Sequence, residues 1–220
     1  MRKLFPILLG AALLASSAFA QDPPRPDDTY QVRYAANLNA GDSYINLTNV
    51  GNFGTNTTIG GHDANDWICA NVYAFDAQQE LLACCACPLS PNSVATLSVR
   101  NDVLPNLLTG TTPSTLSIGL VATADPGAGT CEAASVIVPP VAGTAAGQLI
   151  SGLRAWGSTL HPAPGGGYTT TETRFSYAGP PSNAELTEMT SYCAFIEADG
   201  TGRGLCNSCQ LGAEGAQKEE

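Results

Sequence analysis

The chain has 220 residues, 44% hydrophobic and only 13% charged, with 23 Gly, 15 Pro and a formal net charge of −10. That balance excludes a coiled coil, which needs many charges at helical spacing, and a multi-span membrane protein, which needs several long apolar runs. It also argues against disorder, because so apolar a chain can bury a core, and an acidic excess leaves no electrostatic footprint for nucleic acid.

Residues 1–20 carry the three parts of a secretory signal: Arg2 and Lys3, the apolar run Leu4–Leu14, and Ala18-Phe19-Ala20 before Gln21. The apolar run is short for a membrane span and no other stretch is long enough, so no stable membrane insertion is expected. Cleavage leaves seven Lys and Arg against 19 Asp and Glu, and so a formal charge of −12. The expected location is secreted, extracellular or periplasmic, with association at the cell surface left open. Residues 21–29 begin QDPPRPDD, whose prolines fix φ and remove donors, and read as an exposed extended arm.

From Tyr30 the pattern changes. Ser43–Thr48 alternates, with Tyr44 opposing the Ile45/Leu47 face, and gives the first expected strand, closed by Asn49-Val50-Gly51-Asn52. Trp67–Phe75 is apolar on both faces apart from Asn71, as expected of a strand covered on both sides. A turn at Asp76–Gln79 returns it to Glu80–Leu89, for which a helix over residues 77–86 is the alternative. Val94–Val99 and Ser114–Thr123 follow as strands, the second with Leu116, Ile118 and Leu120 on one face; residues 102–108 make a short connector. Ser135–Val138 has the composition of a short strand, and Leu149–Leu160 and Tyr168–Tyr177 are two more, split by the loop 161–167. Ser182-Asn183-Ala184-Glu185 has capping-box spacing, and Leu186, Met189, Cys193 and Ile196 recur at steps of three, four and three. They predict a helix near residues 183–197, ended by Gly200. The acidic residues 211–220 read as a flexible tail.

The fold class expected is therefore mainly β, one sandwich-like domain over residues 30–210 with one C-terminal α-helix, stabilised by disulfides. Its cysteines are Cys69, Cys84, Cys85, Cys87, Cys131, Cys193, Cys206 and Cys209. An even number behind an export signal argues for a disulfide framework. Cys84 and Cys85 are too close to bridge each other and point to opposite faces of a strand, so each needs its own partner. If the hairpin sets Asp76 against Glu80, Cys69 falls opposite Cys87 and a cross-strand bridge is permitted. Cys193, Cys206 and Cys209 then reach for Cys84, Cys85 or Cys131. Two competing readings are weaker: a thiol-exchange motif at Cys206-Asn207-Ser208-Cys209, and a four-thiolate zinc site from the Cys84–Cys87 cluster with Cys206 and Cys209.

Catalytic signals are thin, and no cofactor is expected. His62, Asp63, Asn65 and Asp66 share the Gly60–Asp66 loop, which lacks the spacing of a calcium loop and reads as a surface turn. His161 precedes Pro162 in a Pro/Gly-rich loop and is expected to be exposed. Asn46-Leu47-Thr48 and Asn56-Thr57-Thr58 match the glycosylation pattern and are read as surface markers.

The segment ICANVYAFD from Ile68, continued by ELLACCACPLSPN from Glu80, resembles secreted cysteine-rich proteins of environmental bacteria that share a CC-x-C cluster and a late C-x-x-C. The resemblance implies an exported disulfide framework and no activity.

The leading functional expectation is an extracellular or cell-surface structural or adhesive protein without enzymatic activity, self-associating through an exposed strand edge or the N-terminal arm. The rival classes are a secreted polysaccharide hydrolase using two carboxylates among Asp66, Glu172, Glu185 and Glu188, and a small-ligand or metal-binding module at Gly60–Asp66. A cleft holding two of those carboxylates favours the hydrolase; an exposed sheet edge favours the structural protein.

Overall fold

The computed structural model describes residues 28–51, 67–125, 131–138, 147–179, 181–207 and 209–211. The signal, nearly all of the arm, the Gly60–Asp66 loop and nearly all of the acidic tail lie outside them.

Two antiparallel five-stranded sheets face each other. The first contains β1 (Tyr30–Ala35), β3 (Trp67–Phe75), β4 (Leu81–Leu89), β6 (Leu116–Asp125) and β9 (Ser176–Tyr177), ordered β4-β3-β6-β1-β9. The second contains β2 (Tyr44–Asn49), β5 (Val94–Ser98), β7 (Leu153–Pro162), β8 (Tyr168–Arg174) and β10 (Gln210–Leu211), ordered β10-β5-β2-β7-β8. The helix α1 (Asn183–Asp199) lies against the outer face of the first sheet, next to a short 3₁₀ turn, Ala133–Ser135.

This third layer explains why β3 is apolar on both faces. Ile68, Ala70, Val72 and Ala74 pack between the sheets with Ile45, Leu47, Leu97, Ile118 and Leu120. On the other side Tyr73 joins Cys84, Val121, Leu186, Met189, Cys193 and Ile196 under the helix. Tyr73 donates its hydroxyl to the carbonyl of Ala133 at 2.6 Å, which ties the 3₁₀ turn to the sheet. Burial, with the charge of Glu197 nearby, pushes that phenol well above its ordinary range. The N-cap and the stripe are both present: the Ser182 hydroxyl accepts the Glu185 N–H at 3.1 Å, the first half of the capping box, and Gly200 ends α1 at φ 66°.

Several sequence expectations need correction. A strand precedes the first expected one: β1 buries Gln31, Arg33 and Ala35 while Tyr34 faces solvent. Ser135–Val138 is no strand; the chain makes the 3₁₀ turn there and sends Ala133 and Val136 into the helix layer. The expected strand Leu149–Leu160 is two pieces. Leu149 bridges Thr123 of the first sheet, and β7 of the second begins only at Leu153, after Gly152 turns the chain at φ 109°. Tyr168–Tyr177 also divides: β8 pairs with β7, β9 pairs with β1, and buried Phe175 marks the crossing between sheets. Asn46 is buried and accepts the Thr96 hydroxyl at 2.7 Å, so it is no surface glycan acceptor in the folded chain.

Candidate functional site

The cysteines form four bridges: Cys69–Cys131, Cys84–Cys193, Cys85–Cys206 and Cys87–Cys209. The Cys69–Cys87 bridge that the hairpin register permitted is ruled out by one residue. Asp76 and Glu80 do oppose each other, the Asp76 N–H reaching the Glu80 carbonyl at 3.1 Å. A bulge then inserts Leu82, so that Phe75 faces Leu81 while Ala74 faces Ala83. Cys69 consequently lies opposite Pro88, and Cys87 opposite Ala70. A slip of one residue moves a side chain to the other face of a sheet. Cys87 is thus turned into the inter-sheet core, away from Cys69, which bonds Cys131.

The same alternation sorts the CC-x-C cluster. Cys84 points to the helix layer and fastens Cys193 of α1. Cys85 and Cys87 face the other way and take Cys206 and Cys209. Cys206 and Cys209 are therefore bonded to β4 and not to each other, which removes the thiol-exchange reading. The same bonds leave the cluster no thiolate for zinc, since a sulfur held in a disulfide is not a thiolate ligand. Asp125 approaches Cys131 Sγ at 3.6 Å beside a sulfur that is likewise bonded to Cys69. Four disulfides fit a protein of an oxidising, non-cytosolic compartment, and no helix among the described residues is long and apolar enough to cross a membrane.

The hydrolase carboxylates are dispersed. Glu185 and Glu188 are exposed on α1, Glu172 is exposed on β8 in the other sheet, and Asp66 is outside the described residues. A shallow groove beside the β3–β4 turn is lined instead by Asp76, Gln78, Glu80, Thr109, Thr111 and Ser114. In it the Asp76 carboxylate is already held by the N–H groups of Gln78 (2.8 Å) and Glu80 (2.9 Å).

A second pair of acids was not singled out from the sequence. Asp42 Oδ2 accepts the Ser98 hydroxyl at 2.5 Å, and Asp102 Oδ2 accepts the Ser98 N–H at 2.7 Å. Both carboxylates serve the π-helical turn Val99–Val103, where Asp42 Oδ1 also accepts the Arg100 N–H at 3.0 Å. Burial, and to a smaller extent the charge of Asp42, raises the Asp102 carboxyl above its ordinary 3.8, against the hydrogen bond from Ser98. An acid with a raised folded pKa keeps its proton just above pH 3.8 while the unfolded chain has released it. Asp102 thus favours folding at the acid end of that window and costs stability above it. Asp102→Asn is expected to remove this contribution, so that the stability difference between variant and parent changes as pH rises from 4 to 6. Urea midpoints at intervals across about pH 4–6 read it; curves that run parallel would refute it.

Two further features emerge only from the fold. The first is β8, all seven of whose residues are exposed and which is the last strand of its sheet among the described residues. Phe175 donates its N–H to the Ala155 carbonyl at 2.9 Å, so the odd-numbered residues hydrogen-bond to β7. By the alternation of an antiparallel ladder, Tyr168, Thr170, Glu172 and Arg174 direct their N–H and C=O groups along the free edge. The second is Arg33, a guanidinium on β1 that is 7% exposed. It donates from Nη1 to the Ser158 carbonyl (2.7 Å), from Nη2 to Thr159 Oγ1 (2.5 Å) and from Nε to Thr173 Oγ1 (3.3 Å). Its carbon centre lies 6.0 Å from the Phe175 ring. Burial lowers its pKa, opposed by the charge of Glu172. Gly157 makes the room, because a Cβ there would stand 2.8 Å from Nη1 and 2.3 Å from the Tyr44 carbonyl.

No protein-family model, curated protein or solved structure matches the chain.

Proposed function

We propose that this chain is an exported extracellular or cell-surface structural protein that self-associates through β8, as a building unit of a fibre or matrix. The observation that carries the reading is the free, wholly exposed edge of β8. Proteins guard such edges with charged side chains, lysine above all, and with proline, bulges or covering segments, since unpaired backbone groups are a template for another strand. The seven residues of β8 contain neither lysine nor proline. Their charges, Glu172 and Arg174, suit a second copy: an antiparallel β8–β8 pair can set each Glu172 opposite the other copy's Arg174. That register uses the even-numbered residues, which carry the outward backbone groups, and opposite charges directly across a ladder are favourable. Such a contact is isologous and closes as a dimer. Growth beyond it falls to a second contact, for which residues 21–27 of the arm are the candidate, since Thr29 is buried and Asp28 is paired with Arg154. Export follows from the signal pattern and suits the four disulfides.

The test is light scattering and electron microscopy of protein secreted through its own signal. The parent is expected to form dimers or longer assemblies. Thr170→Pro deletes one outward donor without touching the β7 ladder, as proline is tolerated at an edge, and is expected to return monomers with unchanged circular dichroism. A parent that stays monomeric at every concentration would overturn the proposal, as would a Thr170→Pro variant that assembles normally.

A further inference from the structure

Side by side on β7 and β8 lie Thr159 and Thr171, Gly157 and Thr173, and His161 and Thr169, each pair directly opposed in the ladder. Opposed residues share a face, and here it is the face on which Leu153 and Ala155 enter the inter-sheet core. Near the tip of this hairpin the first sheet no longer covers that face, and His161, Thr169, Thr171 and Thr173 are exposed. The result is a polar shelf with the Arg33 guanidinium at its base.

Its hydrogen-bond bookkeeping is unbalanced in one direction. A guanidinium has five N–H groups. Three are used by Ser158, Thr159 and Thr173, which leaves two without an acceptor among the described residues. No carboxylate of the described residues lies within 4.0 Å of it, the ion pair in this part of the fold being Arg154 with Asp28. Glu172 stands on the opposite face of β8, where it influences the charge without contacting it. Thr159 and Thr173 accept from Arg33, which frees their own hydroxyl protons to point onward. Thr171 Oγ1 is 2.6 Å from His161 Nε2 and can do the same when that nitrogen donates. A buried positive charge without a negative partner is costly, and a planar or tetrahedral oxyanion answers both the charge and the spare donors.

We propose that the shelf of Arg33, Thr159, His161, Thr171 and Thr173 is a binding site for an oxyanion, the carboxylate or sulfate group of a small anion or an acidic polysaccharide. The acidic charge of the whole chain does not forbid it, because at physiological salt fields are screened over about 8 Å. The site uses the odd-numbered side chains of β8, and the backbone groups proposed for assembly belong to its even-numbered residues, so the two proposals rest on different groups of the strand.

The experiment titrates the ¹⁵N-labelled full mature chain with sodium acetate, sodium sulfate and a short uronic-acid oligomer, with sodium chloride at matched ionic strength as control. Saturable shifts are expected at the amides of Thr159, Thr171 and Thr173 and at the Arg33 Nε–H, with no counterpart in chloride. Thr173→Val is expected to weaken binding about tenfold, the scale of one lost charge-assisted hydrogen bond, and Thr173→Ser to restore it. Arg33→Lys should weaken it similarly, and the two threonine variants keep the test decisive if that variant does not fold. Tighter binding of the oligomer than of acetate would make a polysaccharide the source, and equal affinity a free anion; either supports the site. Shifts that do not saturate, that chloride reproduces, or that survive Thr173→Val unchanged would overturn it.

Discussion

Alanine at both Cys69 and Cys131 is expected to destabilise the fold by about 4 kcal/mol, and alanine at both Cys84 and Cys193 by about 3 kcal/mol. The order runs against the sequence separations of 62 and 109 residues, and the reason is how the loops nest. A disulfide acts largely by restricting the unfolded chain, in proportion to the logarithm of the loop it closes. None of the other bridges shortens the path from Cys69 to Cys131. The path from Cys84 to Cys193 is short-circuited: Cys85, its neighbour, is bonded to Cys206, so the unfolded chain already holds the two ends within a loop of about 15 residues. Urea unfolding of the two double variants at 25 °C reads the difference, with unchanged slope as the sign that both still fold. A larger loss for Cys84/Cys193 would mean that the bridge acts chiefly in the folded state, by pinning α1.

What the sequence made legible, and what it hid, divides along physical lines. The two-sided apolar pattern of residues 67–75 revealed a strand between layers, because each face meets its own core and both must be apolar. The helix was legible for a similar reason: its cap and its stripe are local devices that need no partner to be recognised. The β1 strand was hidden because Arg33 and Gln31 take the buried positions that alternation assigns to apolar residues. Gln31 satisfies its amide on the nearby carbonyl of Asp28 and on that of Leu153, a contact that exists only once the sheets have closed. The Cys69 partner was hidden by a single bulge residue, Leu82, which no composition rule marks. The division of Tyr168–Tyr177 was hidden because Phe175 fits the alternation equally well in a continuous strand. As for function, the shelf at Arg33 depends on β1, β7 and β8 meeting, so neither its charge nor its hydroxyls stand out along the chain.

Leu186→Ala is expected to cost about 2–5 kcal/mol, whereas Ser182→Ala, four residues earlier, should cost about 0.5–2 kcal/mol. Leu186 is fully buried between α1 and the first sheet, with Tyr73, Met189 and Ile196 in the same cluster. Removing its branched end opens a cavity that the layer cannot readily close, because the Cys84–Cys193 bridge fixes the distance between helix and sheet. That constraint places the expected loss toward the upper part of the range, since the cost of such a substitution grows with the cavity left unfilled. Ser182 contributes differently: its hydroxyl satisfies one N–H of the first turn, and water can partly replace it at an exposed helix start. Reducing the disulfides should therefore narrow the gap between the two variants by letting α1 settle into the space that Leu186 vacates. Equilibrium unfolding of both variants, oxidised and reduced, measures this. Equal losses from the two substitutions in the oxidised protein would mean that α1 is not held against the sheet by its apolar stripe.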